Sequence, residues 1–301
     1  MDPLVVAQIT LAAMQDILFA VAAGAFACGV LGARSGLPGQ DKTRVWRTVA
    51  SVALALAALA YLWLQAAIMS GSPLGEAGSA IAPVLSQSHF GKAWSIGLAG
   101  ALLAALSGFQ KERGAALFAA GGVLWVAGKA AASHAADSGD FSWREAIHVV
   151  HLSATSLWAG IVIVAAILLR RLEREPGRPP GQRAAFCAAL SHLATAALVL
   201  VLVTGFYNAV QDTAHSSAPL LRTDWGRSLG VKLACVVLVT LLGGWNRMAI
   251  LPDLLVLAER NDPDYAAAQR RFDGVLYVEA LVILAVLALA AVLGHTSPMG
   301  G

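Results

Sequence analysis

The chain has 301 residues, of which 58% are hydrophobic and only 13% charged, and its mean hydropathy is +0.69. A soluble domain carries roughly 25% charged residues, so this composition excludes an ordinary water-soluble globule and points to the bilayer as solvent. The net charge of +3 comes from short basic flanks of apolar runs, which excludes a continuous basic face for nucleic acid.

A helix needs about 20 consecutive apolar residues to cross the hydrocarbon core. Such runs lie at about 4–31, 47–69, 92–108, 115–133, 145–169, 184–211, 228–250 and 272–294. They are rich in Ala, Leu and Val without two-residue alternation, which argues against barrel strands. The expected fold class is all-α: a polytopic membrane protein with eight transmembrane helices in a single membrane domain, 1–301. The first run is too long for a cleaved signal and lacks a basic leader, so it is expected to remain as a span.

Arg34, Lys42, Arg44 and Arg47 lie between the first two runs, Lys111 and Arg113 between the third and fourth. Arg170, Arg171, Arg174, Arg178 and Arg183 follow the fifth, and Arg247, Arg260, Arg270 and Arg271 the seventh. The alternate loops hold only Lys92, Arg144, Arg222 and Arg227. Positive charge marks the cytoplasmic side, so both termini are expected to face outward.

Most connections are short. Two are longer: residues 70–91, with an interfacial turn expected over 77–85, and residues 251–271, where Pro252, Asp262 and Pro263 are expected to break the chain. The halves resemble each other locally. Ser88-His89-Phe90-Gly91-Lys92 opens the third run, and Thr223-Asp224-Trp225-Gly226-Arg227 opens the seventh. Ser133-His134-Ala135 ends the fourth, and Gly294-His295-Thr296 ends the eighth. This predicts same-orientation four-helix repeats, 1–134 and 145–295, with His134 and His295 at matching depths and sites at the repeat interface.

Histidines gather at the outward ends. His134 ends the fourth run, and His148 and His151 start the fifth after a short loop. A spacing of three puts His148 and His151 on one helical face, so three imidazoles can converge near the outer surface. Neutral imidazole binds Cu, Zn, Fe and Ni; the alternative is that interfacial histidines simply hydrogen-bond water and headgroups. His89, His215 and His295 lie at the same side, as do Met69 and Met299. Thioether with imidazole suits Cu(I).

A deeper set contains Asp16 in the first run, His192 in the sixth and Glu279 in the eighth, with Lys129 and Lys232 placed to snorkel and Asn208 near an outer end. A carboxylate in hydrocarbon must be protonated, paired or hydrated. A proton or cation path and a structural polar clamp both remain open for these residues. Cys28, Cys187 and Cys235 have no paired spacing. The sequence contains no phosphate-cradling glycine loop and no HExxH, so neither nucleotide binding nor enzymatic catalysis is expected.

His151-Leu152 followed by Leu157-Trp158-Ala159-Gly160 resembles a signature of the copper resistance D family of bacterial inner-membrane proteins. So do Ser133-His134-Ala135, Thr204-Gly205-Phe206-Tyr207-Asn208-Ala209, Thr223 to Arg227, Lys232-Leu233, Asn246-Arg247, Glu279 and Ser297-Pro298. Ser133 stands where that family has Gly. The resemblance implies copper handling at the inner membrane, with copper imported from the periplasm and a small periplasmic copper-binding protein as a separate partner. His134, His148 and His151 are then the expected copper ligands, with His295 or Met69 completing the set. Asp16, His192, Glu279, Asn208 and Lys232 would line the path or exchange protons. Two rivals remain at this stage: a factor that delivers copper to a membrane metalloprotein without transporting it, and a b-type cytochrome with haem between His151 and His192 or His295.

Overall fold

A computed structural model of the protein describes residues 3–37, 40–110, 113–133, 142–173, 179–213 and 223–296. The helices are α1 (Pro3–Arg34), α2 (Gln40–Ser70), α3 (Gly78–Gln87), α4 (His89–Ser107), α5 (Gly114–Ala131), α6 (Trp143–Glu173), α7 (Pro180–Thr213) and α8 (Asp224–Trp245). A π turn (Asn246–Ile250), α9 (Leu251–Glu259) and α10 (Tyr265–Leu293) complete the order. Among the described residues there is no strand, and eight helices are long and apolar enough to cross a membrane. This is an all-α, multi-pass membrane protein.

The helix ends follow from local chemistry. Gly36 and Gly71 adopt φ of 70° and 68° after α1 and α2, and Asn261 adopts 49° after α9. In each case the next residue's N–H reaches back to a carbonyl of the last turn, as Leu37 does to Gly32 at 2.8 Å and Asp262 to Leu257 at 3.0 Å. That left-handed closure satisfies carbonyls a helix end would otherwise orphan. The two similar openings also share a cap: Ser88 Oγ accepts from Gly91 N at 2.8 Å, and Thr223 Oγ1 from Gly226 N at 3.0 Å. His134 lies outside the described residues, so its depth relative to His295 does too. The interfacial turn expected over 77–85 is the short helix α3.

The loop expected over 251–271 is instead mostly helix. α8, the π turn and α9 form one span, Asp224–Glu259, and α10 begins at Tyr265. Pro252 fails to break the helix because the wider turn precedes it. Leu251 N–H bonds Asn246 O, five residues back, which displaces the carbonyl a proline ring would strike.

α1 is shared by two packed cores. On one side Phe19 meets Leu54, Trp94 and Trp125 of α2, α4 and α5. On the other Ala20, Ala25 and Cys28 meet α6, α7 and α10. α6 is the most enclosed helix, with every residue from Trp158 to Ala166 buried. Small residues make this possible: a Cβ added at Gly160 would lie 1.8 Å from Ala20 O, and one at Gly128 would lie 2.3 Å from Gly97 N. Membrane helices associate through such backbone-to-backbone approaches. Trp94, near the start of α4, is a core residue at 4% exposure. Its ring stacks between Tyr61 and Phe90, and its N–H donates to Ala58 O.

Gln8 near the start of α1 bonds Gln65 near the end of α2, and His295 after α10 meets Tyr61 of α2. These contacts define one end of the bundle, called here the histidine end. The opposite, basic end carries the α1–α2 and α9–α10 turns.

Candidate functional site

At the histidine end α6 and α7 run antiparallel, and polar side chains pair across them as a ladder. Arg144 donates to Asp212 at 2.6 Å, His148 Nδ1 meets Asn208 Nδ2 at 3.3 Å, and His151 Nδ1 meets Thr204 Oγ1 at 2.9 Å. The rungs follow from helical spacing: residues three and four apart share a face, so a step forward on α6 matches a step back on α7. The two imidazole rings lie nearly parallel, with centroids 6.3 Å apart and 23° between planes.

The tautomer of His151 can be deduced. The single hydroxyl proton of Thr204 goes to Leu200 O at 2.5 Å, so Thr204 Oγ1 accepts from His151. The Val201 carbonyl lies nearby as a second acceptor. Nδ1 therefore carries the proton, and Nε2 keeps its lone pair. Among the described residues the side-chain hydrogen bonds of His148 and His151 both run through Nδ1 and none through Nε2. A metal-ligating imidazole is held in this same way, with one nitrogen donating to a supporting group and the other bare. Copper therefore fits the chemistry of this pair. Gly205 leaves room for the ring, since a Cβ there would approach His151 Cε1 at 3.1 Å.

Charged groups surround the pair. Lys129 of α5 forms an ion pair with Asp16 of α1, where the sequence had suggested a snorkelling lysine. Asp16 also lies within electrostatic range of Tyr61 and Lys232, while Lys129, Lys232 and Arg144 act on His148. α1, α5 and α8 thus bring Asp16, Lys129 and Lys232 to the neighbourhood of the imidazoles, beside the Arg144–Asp212 pair of α6 and α7.

The other sequence candidates are engaged differently. His295 uses both nitrogens: Nδ1 donates to Ala291 O at 2.8 Å, and Nε2 accepts from Tyr61 at 3.1 Å. His89 Nε2 meets Ala131 O at 3.0 Å, tying α4 to the end of α5. Met69 is 46% exposed at the end of α2. Asp16, Glu279 and His192 have separate partners: Lys129, Asn246 and the Ala188 carbonyl respectively. His134, His215 and Met299 lie outside the described residues. Among the described residues no three His, Cys, Asp or Glu side chains form a metal-holding group.

Sequence reasoning missed Lys129 as the partner of Asp16, Tyr61 as the partner of His295 and Thr204 as the support of His151. Only Thr204 had a readable signal. It sits four residues before Asn208, matching the three-residue step from His148 to His151 on an antiparallel neighbour.

Residues 1–143 match the family described as Copper resistance protein D-like, N-terminal domain, and residues 184–293 match Copper resistance protein D. No curated protein and no solved structure matches the chain. Two matches that take in both halves of an eight-span helical bundle place this chain in the copper resistance protein D family.

Proposed function

We propose that the protein imports copper from the periplasm to the cytoplasm across the bacterial inner membrane, accepting the ion at His148 and His151. The basic end then faces the cytoplasm, in keeping with the positive-inside rule. The observation that carries this reading is the support of His151 by Thr204, which leaves Nε2 bare one helical turn from a second imidazole. A third donor comes from His134, His295 or Met69; His295 joins only by giving up its bond from Tyr61. Asn208 holds His148, and the Asp16 carboxylate offsets the repulsion an arriving cation meets from Lys129 and Lys232. Glu279 and His192 stand farther along the path. A small, separate periplasmic copper-binding protein supplies the ion.

The test is copper content. Cells expressing the His148→Ala, His151→Ala double variant at normal membrane levels should accumulate less copper than cells expressing the parent. Equal accumulation would sink the entry site. Copper flux into proteoliposomes then distinguishes import from delivery, since a delivery factor binds the ion without moving it.

A further inference from the structure

The ladder at the histidine end leaves the middle of the bundle unexplained. Glu279 stands at the midpoint of α10 (Tyr265–Leu293) and is 6% exposed. None of the described ion pairs includes it. Among the described residues, the helices packed against α10, which are α1, α6, α8 and α9, offer it no ion-pair partner. Charged groups on the adjoining segments are engaged elsewhere: Arg247 donates to Ser191 of α7 at 3.0 Å, Asp273 pairs with Arg183, and Arg170 of α6 lies over the Tyr277 ring.

Among the described residues the one side-chain partner of Glu279 is Asn246, whose Nδ2 lies 3.4 Å from both Glu279 Oε1 and the Phe272 carbonyl. Gly243 leaves space for the other oxygen, since a Cβ there would meet Oε2 at 3.3 Å. Asn246 is only 4% exposed, and its Oδ1 is buried without a hydrogen-bond partner. Asn246 is also the first residue of the π turn, and single π turns inside α-helices are frequent at functional sites.

These features do not suit a packing role. A clamp between α8 and α10 works as well with a neutral amide, and it needs no orphaned acceptor. A lone carboxylate in hydrocarbon takes up a proton instead of holding its charge. Oxygen donors of this kind also do not select Cu(I), which prefers thioether, thiolate and imidazole. We infer that Glu279 is an exchangeable proton-binding site in the membrane interior, held at the π turn of α8 with Asn246 as its hydrogen-bonding partner. The carboxyl binds one proton in the resting protein and releases it to water reaching Asn246 Oδ1. The inference rests on these contacts alone and does not depend on copper import.

Infrared spectra of the purified protein in liposomes test it without any metal. The parent should show a protonated-carboxyl stretching band at neutral pH that shifts on transfer to heavy water. Glu279→Gln should abolish that band, Glu279→Asp should move it, and Asp253→Asn, at an exposed position of α9, should leave it in place. If Glu279→Gln does not fold, the displacement in Glu279→Asp carries the assignment. A band unchanged in both Glu279 variants overturns the proposal. So does a band that ignores heavy water, because it would mark a sealed structural acid.

Discussion

Thr204 decides how His151 presents itself. Replacing Thr204 with Val keeps the shape but removes the acceptor for Nδ1–H, so the ring loses its fixed tautomer. Loss of such a supporting group typically costs 10–100-fold in metal affinity. Thr204→Val should weaken copper binding by about that factor in chelator competition, and Thr204→Ser should restore it; equal affinities for all three would remove Thr204 from the site. Asp16 makes a second prediction. Asp16→Asn leaves the Lys129 ammonium without its counter-charge in the membrane, at a cost of about 3 kcal/mol. Combining it with Lys129→Met should recover most of that stability, read as thermal unfolding midpoints in detergent. A double variant no more stable than the single one would show that the pair is not the source.

Helices in this bundle meet at glycines. Gly160 lies where α6 crosses α1, and its missing Cβ would fall 1.8 Å from a backbone oxygen, which no rotamer change relieves. Gly160→Ala should therefore force the helices apart and destabilise the protein by about 3 kcal/mol, at the upper end for overpacked cores. Gly230→Ala on α8, where a Cβ meets nothing within 4 Å, should change little. Similar unfolding midpoints for the two variants would refute the close crossing. The same logic explains α8 and α9. The π turn lets a helix pass Pro252 unbroken, and it turns Asn246 toward α10 and Arg247 toward α7. A local interruption thus creates two different helix contacts from consecutive residues.

For the whole molecule, orientation is the property to measure. If the basic loops lie in the cytoplasm, a single cysteine at Lys42 or Arg260 should react with a membrane-impermeant maleimide only after the cells are opened. A cysteine at Ser72, between α2 and α3, should react in intact cells. The reverse pattern would place the imidazole ladder on the cytoplasmic side and end the import reading.

Much of this architecture was legible in the chain. The bilayer demands long apolar runs with every backbone group bonded inside the helix, so eight spans and the all-α class follow from hydropathy alone. The His148–His151 face also follows, because helical period is local. The α8–α9 continuity did not, since proline reads as a breaker unless a neighbouring turn widens. Nor did the pairing of Asp16 with Lys129, of Tyr61 with His295 or of Glu279 with Asn246. Those partners are distant in sequence, and helix packing, set by glycine crossings such as Gly24 with Gly160, determines which faces meet. One-dimensional pattern thus determined the spans and the faces, and the tertiary structure alone decided which polar groups offset one another inside a medium that offers no water.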